Sequence, residues 1–138
     1  EALPPQNQEM VVYGRVPMMV SAGCVKRSLG ACQISHTQKQ LSQGIPAAAF
    51  SCRLKDRYNV EFPVWVNCRH CMNTIYNSVP LSLHQYLAEQ KRGGIRAIRL
   101  DFTDETAEKT REVLEFFSEG KGTAPAQYTT GHYKKGVQ

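Results

Sequence analysis

The chain has 138 residues, the length of one ordinary domain, which is enough to bury a core without disulfide staples. Hydrophobic residues make up 41% and charged residues 21% of it, which argues against wholesale disorder and against a collagen-like fibre. No apolar run reaches the ~18 residues of a membrane span, so we expect no membrane partner.

The net charge of +5 is unevenly distributed along the chain. Residues 1–60 carry seven Lys/Arg against three acids, and residues 101–119 carry seven acids against two bases. Residues 121–138 carry three lysines and no acid. An acidic helix is therefore expected between basic flanks. Such a balance permits contact with nucleic acid, although the same residues also suit ordinary solvated faces.

The first sixty residues are predicted to be mostly extended. Residues 10–23 are rich in Val and Met and are interrupted by Gly14 and Pro17, which indicates two short strands. Residues 24–46 show little periodicity and are predicted to form a long loop. The opening sequence EALPPQNQEM has no initiator Met and no apolar stretch, so we expect a fragment of a larger protein.

Strict alternation of apolar and polar residues begins at Ala49. Cys52 lies on the apolar face of this first run, and a second run from Val60 to Val66 repeats the pattern. The polar segment 56–59 separates the two runs. We therefore predict a β-hairpin.

Residues 80–92 and 95–102 are predicted to be a helix followed by a strand. The helix begins with a Pro at a first-turn position and ends in two basic residues and two glycines. The strand has Ile98, Leu100 and Phe102 on one face.

A second helix is predicted after the strand, capped by Thr103 or Asp104, running to Ser118 and ended by Gly120. Helix, strand and helix in this order are typical of an α/β layer. Residues 121–138 have no core-forming periodicity and are predicted to be a tail or a long loop.

The cysteines are the most informative residues. Their odd number favours reduced thiols in a cytoplasmic protein. Cys68 and Cys71 form a Cys-x-x-Cys pair, whose turn lets both sulfurs reach one metal ion. Cys24 and Cys32 form a looser pair, so the four thiols are predicted to hold zinc or an iron–sulfur cluster. The positive charges predicted to offset the thiolates are those of Lys26, Arg27 and Arg69.

Alternatives to this metal site remain open. The Cys-x-x-Cys pair is also compatible with a redox-active or accidental pair, and buried cysteines often act as small apolar residues. Cys52 is left out of the ligand set because its place in the alternation indicates packing, although a strand residue beside the site could also serve as a ligand. His70 lies between two candidate ligands and could replace one of them, but neighbouring residues tend to point apart, so it is not included in the set.

No nucleophile is evident from the sequence. Asp101 closes the predicted strand 95–102, at the edge where α/β folds usually bind ligands. Asp104 and Glu105 have a simpler explanation as first-turn acids facing a helix dipole. Asp101 and His132 are the candidates for an active-site edge, and His132 by itself also suits a surface position.

Several segments together resemble the collagenase-like peptidase family of unknown catalytic type, the U thirty-two peptidases. The segments are VYGRVPMMVSAGC, LKDRYNVEFPV, CRHCMNTIYNSVPLSL, RLDFTDE and TTGHYKKGV. The resemblance runs from about residue 10 to the last residue.

The resemblance implies that the chain is the later part of a TIM-barrel-like peptidase domain, whose full barrel needs ~250 residues. The expected fold is α/β or α+β, with partial β/α elements plus a β-hairpin and a cysteine-bearing insertion. We treat residues 1–138 as a single domain with an extended cysteine-bearing region (10–71), a helix–strand–helix region (78–120) and a tail (121–138). The rest of the parent chain is then a partner.

Three functions compete on this basis. The first is proteolysis of a peptide or protein substrate, in a fragment that is inactive alone. The second, implied by some relatives, is a cysteine-ligated iron–sulfur enzyme in the hydroxylation of RNA or of a quinone precursor; the relatives' cysteine spacing differs, and Ser82 falls where some carry cysteine. The third is a non-catalytic zinc-stabilised binding module, in which the metal contributes folding free energy alone.

Overall fold

The computed structural model describes residues 8–34 and 49–134. In chain order, its elements are β1 (Glu9–Gly14), β2 (Pro17–Ser21), α1 (Val25–Ser28), β3 (Ala49–Lys55), β4 (Glu61–Asn67), β5 (Met72–Tyr76), β6 (Leu81–Ser82), α2 (Leu87–Arg92), β7 (Ala97–Asp101) and α3 (Ala107–Glu119). The protein is a mixed α/β structure, as predicted. Its strands form two open sheets, and within the described residues neither closes into a barrel.

The chain divides into two compact units. The first unit combines Glu1–Val16 with Val79–Gln138, and the second is Pro17–Ser78. Each unit contains one of the sheets. None of the helices in the described part of the chain has the length and apolar content needed to cross a bilayer.

The sheet of the first unit has the order β6-β1-β7. β1 runs parallel to β7 and antiparallel to β6. Gly14 pairs with Asp101 at the carboxyl ends of the parallel strands and has a φ of 142°. A Cβ at Gly14 would lie 2.4 Å from the Asp101 carbonyl oxygen, so this close approach of the two strands requires glycine.

The predicted helix over residues 80–92 is only partly correct. Leu81 and Ser82 instead pair with β1, and a 3₁₀ turn over His84–Tyr86 leads into α2. The Leu83 amide donates to the Val12 carbonyl, which draws this segment onto the sheet. The local helical pattern therefore yields to tertiary pairing at its start.

The second predicted helix is confirmed with a different cap. Thr106, and not Thr103 or Asp104, is the N-cap of α3, and its hydroxyl accepts from the Lys109 amide across 3.2 Å. Gly120 ends the helix in the left-handed conformation, as predicted.

The core of the first unit is centred on Tyr13. Its ring lies 5.7 Å from the Phe102 ring and 6.0 Å from the Phe117 ring, centroid to centroid, and it is almost fully buried. Leu83 and Val113 are also buried. Phe102, which follows β7, and the apolar face of α3 thus pack on the end of β1.

Residues 128–134, here called the C-terminal strap, are attached to the first unit although their sequence lacks periodicity. Thr129 forms a parallel bridge with Leu81, accepts from the Ser82 amide across 2.9 Å, and donates to the Pro80 carbonyl across 2.9 Å. The strap is therefore attached by backbone pairing, which a search for side-chain periodicity does not detect.

The sheet of the second unit is antiparallel with the order β2-β5-β4-β3. The predicted hairpin is β3 and β4. Its turn is fixed by Asp56, whose Oδ1 accepts from the amides of Tyr58 at 2.8 Å and Val60 at 2.9 Å. Val60 is exposed, contrary to its predicted core position, because β4 begins only at Glu61.

Candidate functional site

Two separate segments of the second unit supply cysteines to one core. Cys24 lies just before α1, and Cys68 lies directly after β4; both side chains are buried. They form one cluster with Val64, Val66 and Ile75. The burial of these two cysteines, far apart in the sequence, in one hydrophobic cluster is the main feature of the site.

Cys68 and Cys71 occupy the turn between β4 and β5. Asn67, the last residue of β4, pairs with Met72, the first residue of β5. Within the turn, the Asn67 side chain accepts a hydrogen bond from the His70 amide across 3.2 Å. Cys71 has a φ of 52°, in the left-handed region that non-glycine residues rarely adopt. It packs against the cluster containing Cys24 and Cys68. The turn therefore directs both of its cysteines into the same core.

Asn73 fixes the segment that carries Cys24. The Asn73 side chain is buried on β5; its Nδ2 donates to the Gly23 carbonyl and its Oδ1 accepts from the Val25 amide across 3.3 Å. Both neighbours of Cys24 are thus held by one amide group. Sequence reasoning missed Asn73, although a polar residue in step with Ile75 on a buried strand face does demand partners.

Of the four predicted ligands, Cys24 and Cys68 belong to one hydrophobic cluster and Cys71 packs against it, whereas Cys32 is not part of that cluster. Cys32 is half-buried in the segment after α1. Cys52 packs against the cluster from β3, in agreement with its predicted packing role. All five thiols are free of disulfides.

Thiolates are the ligands of structural zinc and of iron–sulfur clusters, so the residues fit such a group in kind. Cys24 and Cys68, however, are buried in a cluster otherwise made of aliphatic side chains. Within residues 8–34 and 49–134, no group of three or more His, Cys, Asp or Glu side chains is arranged to hold an ion. The predicted coordination sphere thus remains a proposal.

The other two candidate residues lie in the first unit. Asp101 ends β7, as predicted, and is exposed, with its Oδ1 4.0 Å from Arg99 Nε. His132 is exposed in the C-terminal strap. In the described part of the chain, no hydrogen bond or ion pair joins Asp101 to His132.

Sequence reasoning missed a partly buried network at the carboxyl end of β1. The Tyr13 hydroxyl donates to Glu105 Oε1 across 3.3 Å, and Glu105 Oε2 accepts from the Thr103 amide across 2.6 Å. Burial, reinforced by the adjacent Glu105 carboxylate, raises the pKa of Tyr13 to about 12. The phenol therefore keeps its proton further into the alkaline range than an exposed tyrosine does.

Ser82 and His84 form a second polar contact that the sequence did not reveal. Ser82 Oγ lies 2.9 Å from His84 Nδ1. The His84 ring lies edge-on to Phe116 and Tyr128, at centroid distances of 5.7 Å and 4.9 Å. Ser82 is completely buried, so its hydroxyl cannot reach a substrate. This contact orients His84 within the fold and does not form a nucleophile–base pair.

Comparison with protein-family models, with curated proteins and with solved structures finds no match. The interpretation of the site therefore rests on the residues and geometry of this chain.

Proposed function

We propose that the second unit, Pro17–Ser78, is a metal-stabilised binding module in which Cys24, Cys32, Cys68 and Cys71 hold one zinc ion. The observation that carries the proposal is the burial of Cys24 and Cys68 in one core, with Cys71 packed against it. Metal binding requires the sulfurs to turn toward one point and the Cys32 segment to join them.

The size of the core supports this proposal. Among the described residues of the second unit, the buried aliphatic side chains of its cluster are Val64, Val66 and Ile75. Below ~70–80 residues, a single apolar core rarely stabilises a domain without disulfides or a metal. With its thiols free of disulfides, the unit gains folding free energy from a metal that binds only the folded state.

The local geometry also supports it. Asn73 holds both neighbours of Cys24, and the left-handed Cys71 closes a turn with two inward thiols.

We further propose that the module belongs to a larger protein of the collagenase-like peptidase family, with TIM-barrel-like elements in the first unit. The parallel pairing of β1 with β7 supports this, because such barrels consist of parallel strands. Proteolysis is assigned to the parent protein, since the Ser82–His84 contact is buried.

Metal analysis of the anaerobically purified full chain tests the proposal. We expect one zinc ion per chain without acid-labile sulfide, retention of the zinc in Cys52→Ser, and its loss in Cys68→Ser. Cys52 is the matched control because its thiol packs in the same core but lies outside the ligand set. Iron with sulfide would instead support the cluster enzyme, and substoichiometric amounts of both metals would overturn the site.

A further inference from the structure

One edge of the second unit's sheet is apolar and, among the residues that the structure describes, has no neighbouring strand. β2 is the terminal strand of this sheet in the described part of the chain, and its sequence Pro-Met-Met-Val-Ser contains no charge. Met18, Met19 and Val20 are 57%, 55% and 60% exposed. Edge strands of this kind are templates for pairing with another chain unless charges or prolines protect them.

Both faces of β2 contribute to this exposed surface. Met19 pairs with Ile75, whose side chain lies in the core cluster, whereas Val20 pairs with Thr74 on the opposite face of the sheet. Pro17 and a register shift between Pro17 and Met19 protect the start of the strand. The part of β2 that can form backbone hydrogen bonds with a partner strand therefore begins at Met19.

The opposite edge of the same sheet provides an internal comparison. β3 carries Arg53 and Lys55, and the Lys55 ammonium lies 3.7 Å from the Glu61 carboxylate on β4. Charges along an edge strand discourage pairing with further strands. The two edge strands thus differ in charge: β3 carries charged side chains that disfavour pairing with another strand, and β2 carries none.

Charge identifies the kind of strand that suits β2. The second unit carries seven Lys/Arg and two acids, and so accounts for the entire net charge of the chain. Three of these bases lie at the carboxyl end of β2: Lys26 and Arg27 in α1, and Arg69 in the turn next to the Ser21–Asn73 pair. Two copies of this unit repel each other, whereas an acidic partner is attracted.

From these observations we infer that β2 is a docking edge for an extended peptide with apolar residues in alternation and acidic residues at its amino end. The peptide adds antiparallel to β2, in keeping with the rest of this sheet. Its amino end then points toward the end of the sheet where Lys26, Arg27 and Arg69 lie. Main-chain hydrogen bonds between β2 and the peptide supply the affinity. The exposed apolar side chains of β2 select apolar residues in the peptide, and the basic residues at the carboxyl end of β2 select acidic ones. This inference goes beyond the proposed metal module.

The test uses the full chain and the fluorescein-labelled peptide Asp-Glu-Asp-Val-Thr-Val-Thr-Val, followed by fluorescence anisotropy and by amide hydrogen exchange. We expect saturable binding that protects amides of Met19–Ser21, together with at least about tenfold weaker binding of the reversed peptide. Met19→Lys is expected to abolish binding because it places a charge in the docking edge.

Two matched variants separate the basic end of β2 from the overall charge. Arg27→Glu is expected to weaken binding about tenfold, whereas Arg57→Glu, the same change in the turn at the other end of the sheet, leaves it nearly unchanged. Equal losses in both variants would overturn the site, as would no binding or protection confined to β3. Concentration-dependent dimerisation that protects β2 without peptide would also overturn it, in favour of a second copy. Circular dichroism identifies any variant that fails to fold, and the reversed peptide still tests the inference on the unaltered chain.

Discussion

The Arg15 guanidinium and the Asp104 carboxylate form an ion pair at the carboxyl edge of the first unit's parallel strands. Arg15 Nε donates to Asp104 Oδ1 across 2.5 Å, and only 14% and 7% of the two side chains are exposed. Removing the Asp104 carboxylate takes a close counter-charge away from the largely buried Arg15 guanidinium.

Asp104→Ala is therefore expected to lower the free energy of unfolding by about 3 kcal/mol. The matched control is Glu112→Ala, which breaks the exposed ion pair between Lys109 and Glu112 and is expected to cost less than about 0.5 kcal/mol. Urea unfolding of the full chain measures both. Similar losses in the two variants would show that Asp104 is no more important than a surface charge.

Gly14→Ala is expected to destabilise the first unit by about 3 kcal/mol or more, because the new Cβ would overlap the Asp101 carbonyl and φ is positive. Gly93→Ala is the control, since its φ of −73° suits alanine and its Cβ would meet backbone oxygen at 3.4 Å. Thermal unfolding compares the variants. An unchanged midpoint in Gly14→Ala would contradict the close strand approach.

The raised pKa of Tyr13 predicts a pH dependence of stability in the alkaline range. In the unfolded chain this phenol loses its proton near pH 10.0, whereas in the folded chain it retains it to about pH 12. The phenol therefore contributes about 2 to 3 kcal/mol to the free energy of unfolding below pH 10, and this contribution is lost as the pH rises toward 12. Tyr13→Phe should remove this part of the decline. Parallel stability curves for the wild type and Tyr13→Phe between pH 9 and 12 would contradict it.

The C-terminal strap is expected to protect β6 from solvent exchange. Thr129→Pro removes the amide that donates to the Pro80 carbonyl, so the Ser82 amide should exchange about tenfold faster. Glu89→Gln weakens only an exposed ion pair with Lys134 and should leave that exchange nearly unchanged. Amide exchange followed by mass spectrometry distinguishes the two variants. Unchanged protection in Thr129→Pro would show that the strap does not cover β6.

Much of the strand pattern could be predicted from the sequence because it depends on local chemistry. Pro17 and Gly14 separate β1 from β2, and the polar turn around Asp56 separates the strands of the hairpin. Gly120 ends α3 because only a residue that tolerates a positive φ suits that position. These signals lie within a few residues of the structure that they determine.

Pairings between distant segments could not be predicted in the same way. Leu81 and Ser82 leave their predicted helix for the sheet, and Thr129 joins it from a segment without periodicity. For the candidate site, the Cys-x-x-Cys spacing indicated that Cys68 and Cys71 act together. That Cys24 belongs to the same hydrophobic cluster, with both of its neighbours bonded to the Asn73 amide group, depends on contacts that only the fold brings about.

Anaerobic titration of the full chain with Co²⁺ tests the proposed zinc site most directly, because tetrahedral cobalt thiolates absorb in the visible range. The account predicts saturation at one Co²⁺ per chain, displacement by Zn²⁺, loss of the bands in Cys24→Ser and Cys68→Ser, and their retention in Cys52→Ser. Absence of thiolate bands, or bands that persist in both Cys24→Ser and Cys68→Ser, would contradict it.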